Sequence, residues 1–237
     1  MYTTKVGRPR VLRARHSVQN QWDLLAPLGI EPPSRDADPV TMRVSADAAH
    51  EVHARLGAAG VTAEHRLIVI HVSAGNPFRR WPLESFAALV AGLAVVDPRR
   101  RIVVTAGPSE RAAAGEVIAT ARRQLPEPTD RQVVACGEFS LSELRALCDR
   151  AALFIGGDSG PLHIASTSHV PIVGLYGPTL PARSAPWRSD RWPALAVEVN
   201  DLACRPCAQR VCEPGDFRCL TSIRPDEVIQ AAERALA

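Results

Sequence analysis

Short apolar runs alternate with longer amphipathic stretches between residues 66 and 176 of this 237-residue chain. A run of four to eight apolar residues bounded by turn residues is typical of a buried strand, whereas apolar positions three and four residues apart indicate a helix. We predict strands over residues 67–72, 101–105, 132–135, 153–155 and 171–176. We predict helices over residues 17–28, 46–59, 83–95, 109–124, 140–150, 161–167 and 225–236.

The alternation of strand and helix predicts parallel strands, right-handed crossovers and helices on both faces of the sheet. The expected fold is therefore α/β, a Rossmann-like doubly wound parallel sheet. Residues 31–40 contain three prolines and are interpreted as a linker, so residues 1–40 precede a main domain of residues 41–237. Beyond Gly177 the regular pattern ends, and prolines indicate a loop before the cysteine-rich segment, residues 204–219, and a closing helix.

Charge is distributed unevenly along the chain. The formal net charge is +3, but residues 1–16 contain five basic residues and no acidic one, so the rest of the chain is slightly acidic. The five are Lys5, Arg8, Arg10, Arg13 and Arg15. A nucleic-acid-binding protein normally spreads basic residues over one face of its body, so we expect no nucleic acid as a partner. The basic stretch is interpreted as a solvated leader, with an organellar transit peptide as the alternative.

Composition is that of a globular protein, with 46% hydrophobic and 22% charged residues. The longest mostly apolar stretch, residues 86–96, is much shorter than the about 20 residues of a membrane-spanning helix. The amino terminus also lacks the apolar segment of a secretory signal. We therefore expect a cytoplasmic protein that associates at most peripherally with the inner face of the cytoplasmic membrane.

Glycines and small polar residues follow four of the predicted strands at their carboxyl ends. Ligands of open α/β sheets bind outside these ends. The four segments are residues 73–82, 106–110, 156–163 and 177–179. We expect them to form one continuous rim around a ligand.

Residues 156–163, Gly-Gly-Asp-Ser-Gly-Pro-Leu-His, carry the sharpest of these signals. Glycines let the backbone approach a ligand closely, and a helix that begins at Ser159 or Gly160 presents free N–H groups to an anion. Ser159 adds a hydroxyl donor, and His163 lies one turn further along, where its ring can point back toward the same anion. A diphosphate fits this arrangement. The alternative is structural, with Asp158 as a helix cap and His163 as a surface residue.

Two adjacent arginines in the first segment favour phosphate as the anion. The guanidinium groups of Arg79 and Arg80 match phosphate oxygens with paired donors, although such a pair alone is usually a solvated surface feature. Glu110 has the position to accept hydrogen bonds from ribose hydroxyls, or it merely favours the first turn of a helix. The sequence has no G-x-G-x-x-G, Walker A, H-E-x-x-H or G-x-S-x-G motif, which argues against a standard NAD enzyme, a P-loop ATPase and an α/β-hydrolase.

Four cysteines lie close together near the carboxyl terminus: Cys204, Cys207, Cys212 and Cys219. Four thiolates within 16 residues can close a tetrahedral zinc site, although their spacing differs from the paired C-x2-C motifs of zinc knuckles. A loop of reduced or disulfide-linked cysteines is the alternative. The remaining two cysteines lie in predicted core elements and are expected to be buried.

These motifs together resemble those of glycosyltransferase family 9, the ADP-heptose lipopolysaccharide heptosyltransferases. The resemblance extends from about residue 11 to the end of the chain, and the Asp-Ser-Gly-Pro-x-His motif with the Trp-Pro loop is its most specific part. It is carried by Gly75 with Arg79-Arg80-Trp81-Pro82, by Gly107-Pro108-Ser109-Glu110, by Asp158-Ser159-Gly160-Pro161-Leu162-His163, by Tyr176-Gly177-Pro178-Thr179 and by the cysteine-rich segment.

The resemblance implies a GT-B fold, in which two Rossmann-like domains enclose the active site, and it matches this chain to the C-terminal, donor-binding domain. It implies a nucleotide-sugar donor as substrate, no required cofactor, and a lipopolysaccharide or other glycan as acceptor. Phe139 is expected beside adenine, Glu110 at the ribose, and Arg79 where the family has a phosphate-contacting lysine. The full set of implied donor-binding residues is Gly75, Arg79, Arg80, Gly107, Glu110, Phe139, Asp158, Ser159, Gly160 and His163.

The family's N-terminal acceptor domain, with the aspartate that acts as general base, has no counterpart in this sequence. The expectation is therefore an inverting, metal-independent, heptosyltransferase-like glycosyltransferase in truncated form, which binds a nucleotide sugar but transfers little alone. The alternative is a non-catalytic nucleotide-binding or zinc-stabilised interaction module. A nucleotide-sugar epimerase is a weaker rival, because no clustered pair of carboxylates accompanies these loops.

Overall fold

A computed structural model describes residues 5–7, 14–72 and 74–237 of the chain. Four residues considered above, Arg8, Arg10, Arg13 and Ser73, lie outside the described residues. The described part is built around a parallel sheet in the order β3-β2-β1-β4-β5-β6. Its strands are Arg66–His71 (β1), Arg100–Thr105 (β2), Val133–Val134 (β3), Leu153–Gly157 (β4), Ile172–Tyr176 (β5) and Ala194–Glu198 (β6). This order, that of the doubly wound dinucleotide-binding folds, confirms the predicted Rossmann-like α/β sheet.

Helices cover both faces of this sheet. Those of the described residues are Ser17–Trp22 (α1), Ala46–Ala58 (α2), Leu83–Val96 (α3), Arg111–Gln124 (α4), Leu141–Arg150 (α5), Gly160–Ala165 (α6), Pro181–Ser184 (α7), Arg218–Thr221 (α8) and Pro225–Leu236 (α9). Helices α3, α4 and α9 pack together on one face, and α2, α5 and α6 on the other. No helix in the described part of the chain is both long enough and apolar enough to span a bilayer.

Burial on both faces follows from the apolar composition of the central strands. In β1, Ile68 and Ile70 contribute to the core under α3 and α9, whereas Leu67 and Val69 contribute to the core under α2 and α5. Successive side chains of a strand point to opposite faces, so a continuous apolar run can supply two cores at once. The two cores fix the strand ends, and with them the loops that leave the sheet.

The region after Gly177 contains a strand, β6, so the expectation of a loop without a strand was wrong there. Strand β6 pairs with β5 from Ile172 to Tyr176 at the edge of the sheet. Most of its residues are exposed or half-buried, with Val197 as its buried residue. The sequence does contain a run of four apolar residues here, Ala194 to Val197, but the prolines before it led us to expect a loop.

The predicted helix over residues 17–28 also differs from the structure. The α-helix ends at Trp22, and a 3₁₀ helix, Asp23–Leu28, continues to Gly29, whose φ of 72° ends the segment. The helix is capped by His16, whose ring accepts a hydrogen bond from the backbone N–H of Val18 at 3.2 Å. The closing helix agrees with its prediction and begins with Pro225 in its first turn.

Candidate functional site

The polar loops predicted to share a ligand do lie along one edge of the sheet, which we call the carboxyl edge because the strands end there. The chain runs outward from β1 to β3 and then returns to place β4 beside β1, so the strand order reverses between β1 and β4. A cavity of about 280 Å³ lies at this point. Crevices at such reversals are where open α/β sheets bind their ligands. Six of the predicted donor-binding residues line it: Gly75, Gly107, Glu110, Phe139, Ser159 and Gly160.

Asp158 lies beside this cavity but does not line it, and its side chain is only 3% exposed. Its carboxylate accepts hydrogen bonds from the hydroxyls of Thr179 at 2.6 Å and Ser184 at 3.1 Å. Nη1 of Arg79 lies 3.3 Å from the same oxygen, and Nε2 of His163 lies 3.6 Å from the other. Asp158 is therefore not a helix cap; it is the buried centre of a polar network that fixes two potential anion-binding side chains.

The network also determines the charge of Asp158. Burial on its own raises the pKa of this carboxyl group, because a low-polarity environment disfavours the charged form. Hydrogen bonds from His163 and Thr179, together with the positive charge of Arg79, outweigh burial and hold the pKa of Asp158 below its ordinary value. The carboxylate stays ionised, and this favours a fixed position for the Arg79 guanidinium.

Arg79 is held from two sides. Its Nη1 donates to the backbone oxygen of Asp158 at 3.0 Å, and its Nε donates to Oε1 of Gln209 at 2.7 Å. The side chain remains 30% exposed. Gly157 allows this approach, because a Cβ at that position would lie 3.2 Å from the backbone oxygen of Arg79.

Arg80 points to a different partner from its neighbour in sequence. Its Nη2 lies 2.6 Å from Oε1 of Glu110, and its Nε donates to the backbone oxygen of Ala74 at 2.9 Å. The Arg80 side chain is 44% exposed, whereas that of Glu110 is 13% exposed. Glu110 therefore reaches the cavity already paired with a cation.

His71 is a site residue that the sequence analysis missed. It ends β1, lines the cavity, and its Nδ1 lies 2.9 Å from Oγ1 of Thr105 at the end of β2. Burial lowers the pKa of His71 to about 4, so the imidazole is neutral near pH 7. The sequence did contain a signal, because His71 is a polar residue at the end of an otherwise apolar strand. It was overlooked because it was counted as part of the predicted strand.

The ring of Phe139 packs against Arg55, a residue that lies much earlier in the chain. The guanidinium carbon of Arg55, on α2, lies 4.0 Å from the centre of the Phe139 ring. Arg55 also donates to the backbone oxygens of Cys136 and Glu138. The loop that presents Phe139 to the cavity is thereby fixed before any ligand binds.

Comparison with known proteins identifies the family of this chain. A family model described as glycosyltransferase family 9 (heptosyltransferase) matches residues 4–216. The chain belongs to glycosyltransferase family 9. The lipopolysaccharide heptosyltransferase 3 of Escherichia coli K12 is 29% identical to it over 227 residues, which are 95% of this chain and 61% of that protein.

Solved structures related to family 9 share its fold. A glycosyltransferase of family 9 from Veillonella parvula superposes with a TM-score of 0.76 and 24% identity, covering 98% of this chain and 62% of that one. The Escherichia coli heptosyltransferase WaaC, solved with ADP, superposes with a TM-score of 0.59 and 20% identity, covering 99% and 60%. This chain spans about half the length of the curated relatives it matches, from 46% to 61% for four of them.

The cysteine-rich segment of this family 9 chain has a spacing that allows either a zinc site or a loop of reduced or disulfide-linked cysteines. Its four cysteines are free thiols that border one cavity of about 450 Å³. Among the described residues, however, no three His, Cys, Asp or Glu side chains come together as metal ligands. Cys219 is buried in α8 against the hydrophobic core, and this burial raises the pKa of its thiol. The four cysteines are close in sequence, but the side chain of Cys219 packs in the hydrophobic core.

The two other cysteines differ from each other. Cys148 is buried as predicted, and burial raises the pKa of its thiol to about 12. Cys136 is only half-buried, so the prediction of a buried core residue was wrong there. Cys136 follows the short strand β3, where the sheet edge leaves it partly open to solvent.

Proposed function

We propose that this chain binds the nucleoside diphosphate part of an ADP-activated sugar, with heptose as the expected sugar. The observation that carries the proposal is the position of the Asp158 network beside the cavity at the strand reversal, in a chain of family 9. Arg79 and His163 contribute donors from the Asp158 network beside the cavity, whereas Glu110 lines the cavity and contributes acceptors. A diphosphate linked to a ribose needs this pairing of donors and acceptors.

The proposed reaction is an inverting transfer that needs no cofactor besides the donor. An acceptor hydroxyl of a lipopolysaccharide or similar glycan attacks the anomeric carbon, the bond from that carbon to the diphosphate breaks, and the nucleoside diphosphate leaves with the electron pair. Arg79, His163 and the Ser159 hydroxyl stabilise the negative charge that grows on the leaving group. Such an acceptor would bring the protein to the inner face of the cytoplasmic membrane.

The proposal concerns the donor half of this reaction. The base that takes the proton of the acceptor hydroxyl is expected from an acceptor domain outside these 237 residues. The chain alone should bind ADP-heptose and transfer heptose slowly or not at all. Sustained release of ADP in the presence of a lipopolysaccharide acceptor would contradict this restriction.

Isothermal titration with ADP and with AMP tests the donor site. We expect ADP to bind more tightly than AMP, because the second phosphate meets Arg79 and His163. Changing Asp158 and His163 together to alanine should weaken ADP binding at least about tenfold. Unchanged affinity in that variant would overturn the site assignment.

A second variant, with a single change at an exposed residue, tests the site even if the double variant does not fold. His163 is 44% exposed, so His163→Gln should fold normally while reducing the preference for ADP over AMP. His50→Gln is the matched control, because His50 is exposed on α2 and does not line the cavity. Displacement of a fluorescent ADP analogue by ADP-heptose, but not by UDP-glucose, would support the donor class.

A further inference from the structure

The cysteine-rich segment contacts two of the loops at the carboxyl edge, residues 177–179 and residues 73–82. Nη2 of Arg205 donates to the backbone oxygen of Thr179 at 2.8 Å, and the N–H of Cys207 donates to that of Pro178 at 3.2 Å. Oε1 of Gln209 accepts from Nδ2 of Asn76 at 2.9 Å and from Nε of Arg79 at 2.7 Å. The segment therefore lies behind the side chains that surround Asp158.

Gln209 makes its contact from an unusual backbone conformation. Its φ is 58°, in the left-handed region that few residues other than glycine adopt. Such a conformation persists where the surroundings determine it, and it is often found at functional positions. Here the surroundings include the two hydrogen bonds that converge on a single side-chain oxygen.

The contact restricts how Arg79 can move. A guanidinium group has five N–H donors in one plane. With Nη1 on the Asp158 oxygens and Nε on Gln209, the plane is defined by contacts at two of its nitrogens. Nη2 has no partner among the described residues and stays available to an anion. Asn76, which also accepts from the N–H of Phe78, ties the turn before Arg79 to the same oxygen.

We propose that Gln209 is a positioning residue that orients Arg79 toward the diphosphate of the donor. This inference rests on the proposed function, because it assigns the anion that Arg79 meets. It gives the cysteine-rich segment a role in the donor site without a metal. The segment supplies Oε1 of Gln209, the acceptor that holds the guanidinium group of Arg79 in one orientation.

The contact itself is tested in the full chain without ligand. The Nε–H resonance of Arg79, assigned by its loss in Arg79→Lys, should exchange slowly with solvent in the wild-type protein. Gln209→Ala should lose this protection, and so should Gln209→Asn, which is one methylene too short. Gln209→Glu keeps the acceptor and should keep the protection. A protected resonance in Gln209→Ala would overturn the contact.

The consequence is tested by titration with ADP. Gln209→Ala should weaken binding about threefold to tenfold, the effect of one lost hydrogen bond, while the melting temperature stays close to that of the wild type. In an Arg79→Ala background the same change should have no further effect, because Gln209 acts through Arg79. Gln124→Ala, at the exposed end of α4, removes the same atoms and should leave binding unchanged.

The outcomes separate the two proposals. If the wild type binds ADP and Gln209→Ala binds it equally well, the positioning role is wrong and the donor site stands. An equal loss in the wild-type and Arg79→Ala backgrounds would also overturn it, because the effect would then be structural. If the wild type does not bind ADP, the proposed function fails, and the positioning role fails with it.

Discussion

Arg79 and Arg80 are neighbours in sequence, yet they belong to two different sides of the candidate donor site. Arg79 joins the buried Asp158 network, in which the carboxylate has four polar partners and almost no contact with water. Arg80, whose side chain is 44% exposed, joins Glu110, which lines the cavity and is 13% exposed. The fold fixes the geometry of the Asp158 side, whereas a ligand can rearrange the ion pair between Arg80 and Glu110.

The difference teaches what each side can do for a ligand. Charges in a buried network are expensive to separate, so the Asp158 side keeps its shape whether or not a ligand is present. An exposed pair contributes little to folding, because water and salt screen it. We infer that the Asp158 side provides a preformed place for phosphate, whereas Glu110 can leave Arg80 for ribose hydroxyls.

The largest effect is expected from breaking the buried side. Asp158→Asn should lower the free energy of unfolding by about 2–3 kcal/mol, because it leaves the buried donors around it without their anionic partner. Urea unfolding at pH 7.5 measures this value. Asp190→Asn, at an exposed carboxylate 3.8 Å from Arg35, should change it by less than about 0.5 kcal/mol. Equal effects at the two positions would show that burial does not distinguish them.

A second prediction uses pH and concerns the floor of the cavity. The pKa of His71 is lowered to about 4 by burial, against 6.5 for an exposed histidine, so the unfolded chain binds a proton at a pH where the folded chain does not. Its contribution to stability is complete above pH 6.5 and is lost as the pH falls toward 4. Between pH 7.5 and pH 5.0 the loss from this group should be about 2 kcal/mol.

Comparison of the wild type with His71→Gln isolates that contribution. Each protein's urea midpoint is measured at pH 7.5 and at pH 5.0. Other groups titrate in both proteins, so a difference between the two shifts in midpoint reports on His71. The variant should be less sensitive to acid than the wild type. An identical pH dependence in the two proteins would contradict a neutral, buried His71.

The smallest effect on stability is expected at the exposed side. Arg80→Gln should change the free energy of unfolding by less than about 0.5 kcal/mol, since the Arg80 side chain is 44% exposed and water screens its charge. The same urea series measures it. A loss above about 1 kcal/mol would mean that the Arg80–Glu110 pair is structural, and the contrast between the two sides would then fail.

Much of the fold followed from the sequence because its central strands are apolar on both faces. The carboxyl edge followed as well, since parallel strands must end together and their loops must meet. Strand β6 was missed although residues 194–197 are a run of four apolar residues, because the prolines around it were interpreted as a loop. A short apolar run next to proline is therefore ambiguous until its pairing with a neighbouring strand is known.

The contacts inside the site were less accessible to prediction. The residue types around Asp158 were recognised, but its partner Ser184 and the Arg79 contact to Gln209 join parts of the chain that share no local pattern. The choice between a zinc site and a loop of reduced cysteines was open for a related reason, because spacing along the chain does not specify side-chain direction. Cys219 points into the core, which no count of intervening residues reveals.

The hydrogen bond from Nε1 of Trp81 to the backbone oxygen of Ile223 at 3.1 Å has a consequence for folding order. It closes over 142 positions of sequence, and the contact between Arg79 and Gln209 closes over 130. Contacts of such long separation form late, because the entropy of loop closure must be overcome first. On the ribosome, the loop that carries Arg79 emerges early, but it can make these contacts only after the residues around Gln209 and Ile223 have been synthesised.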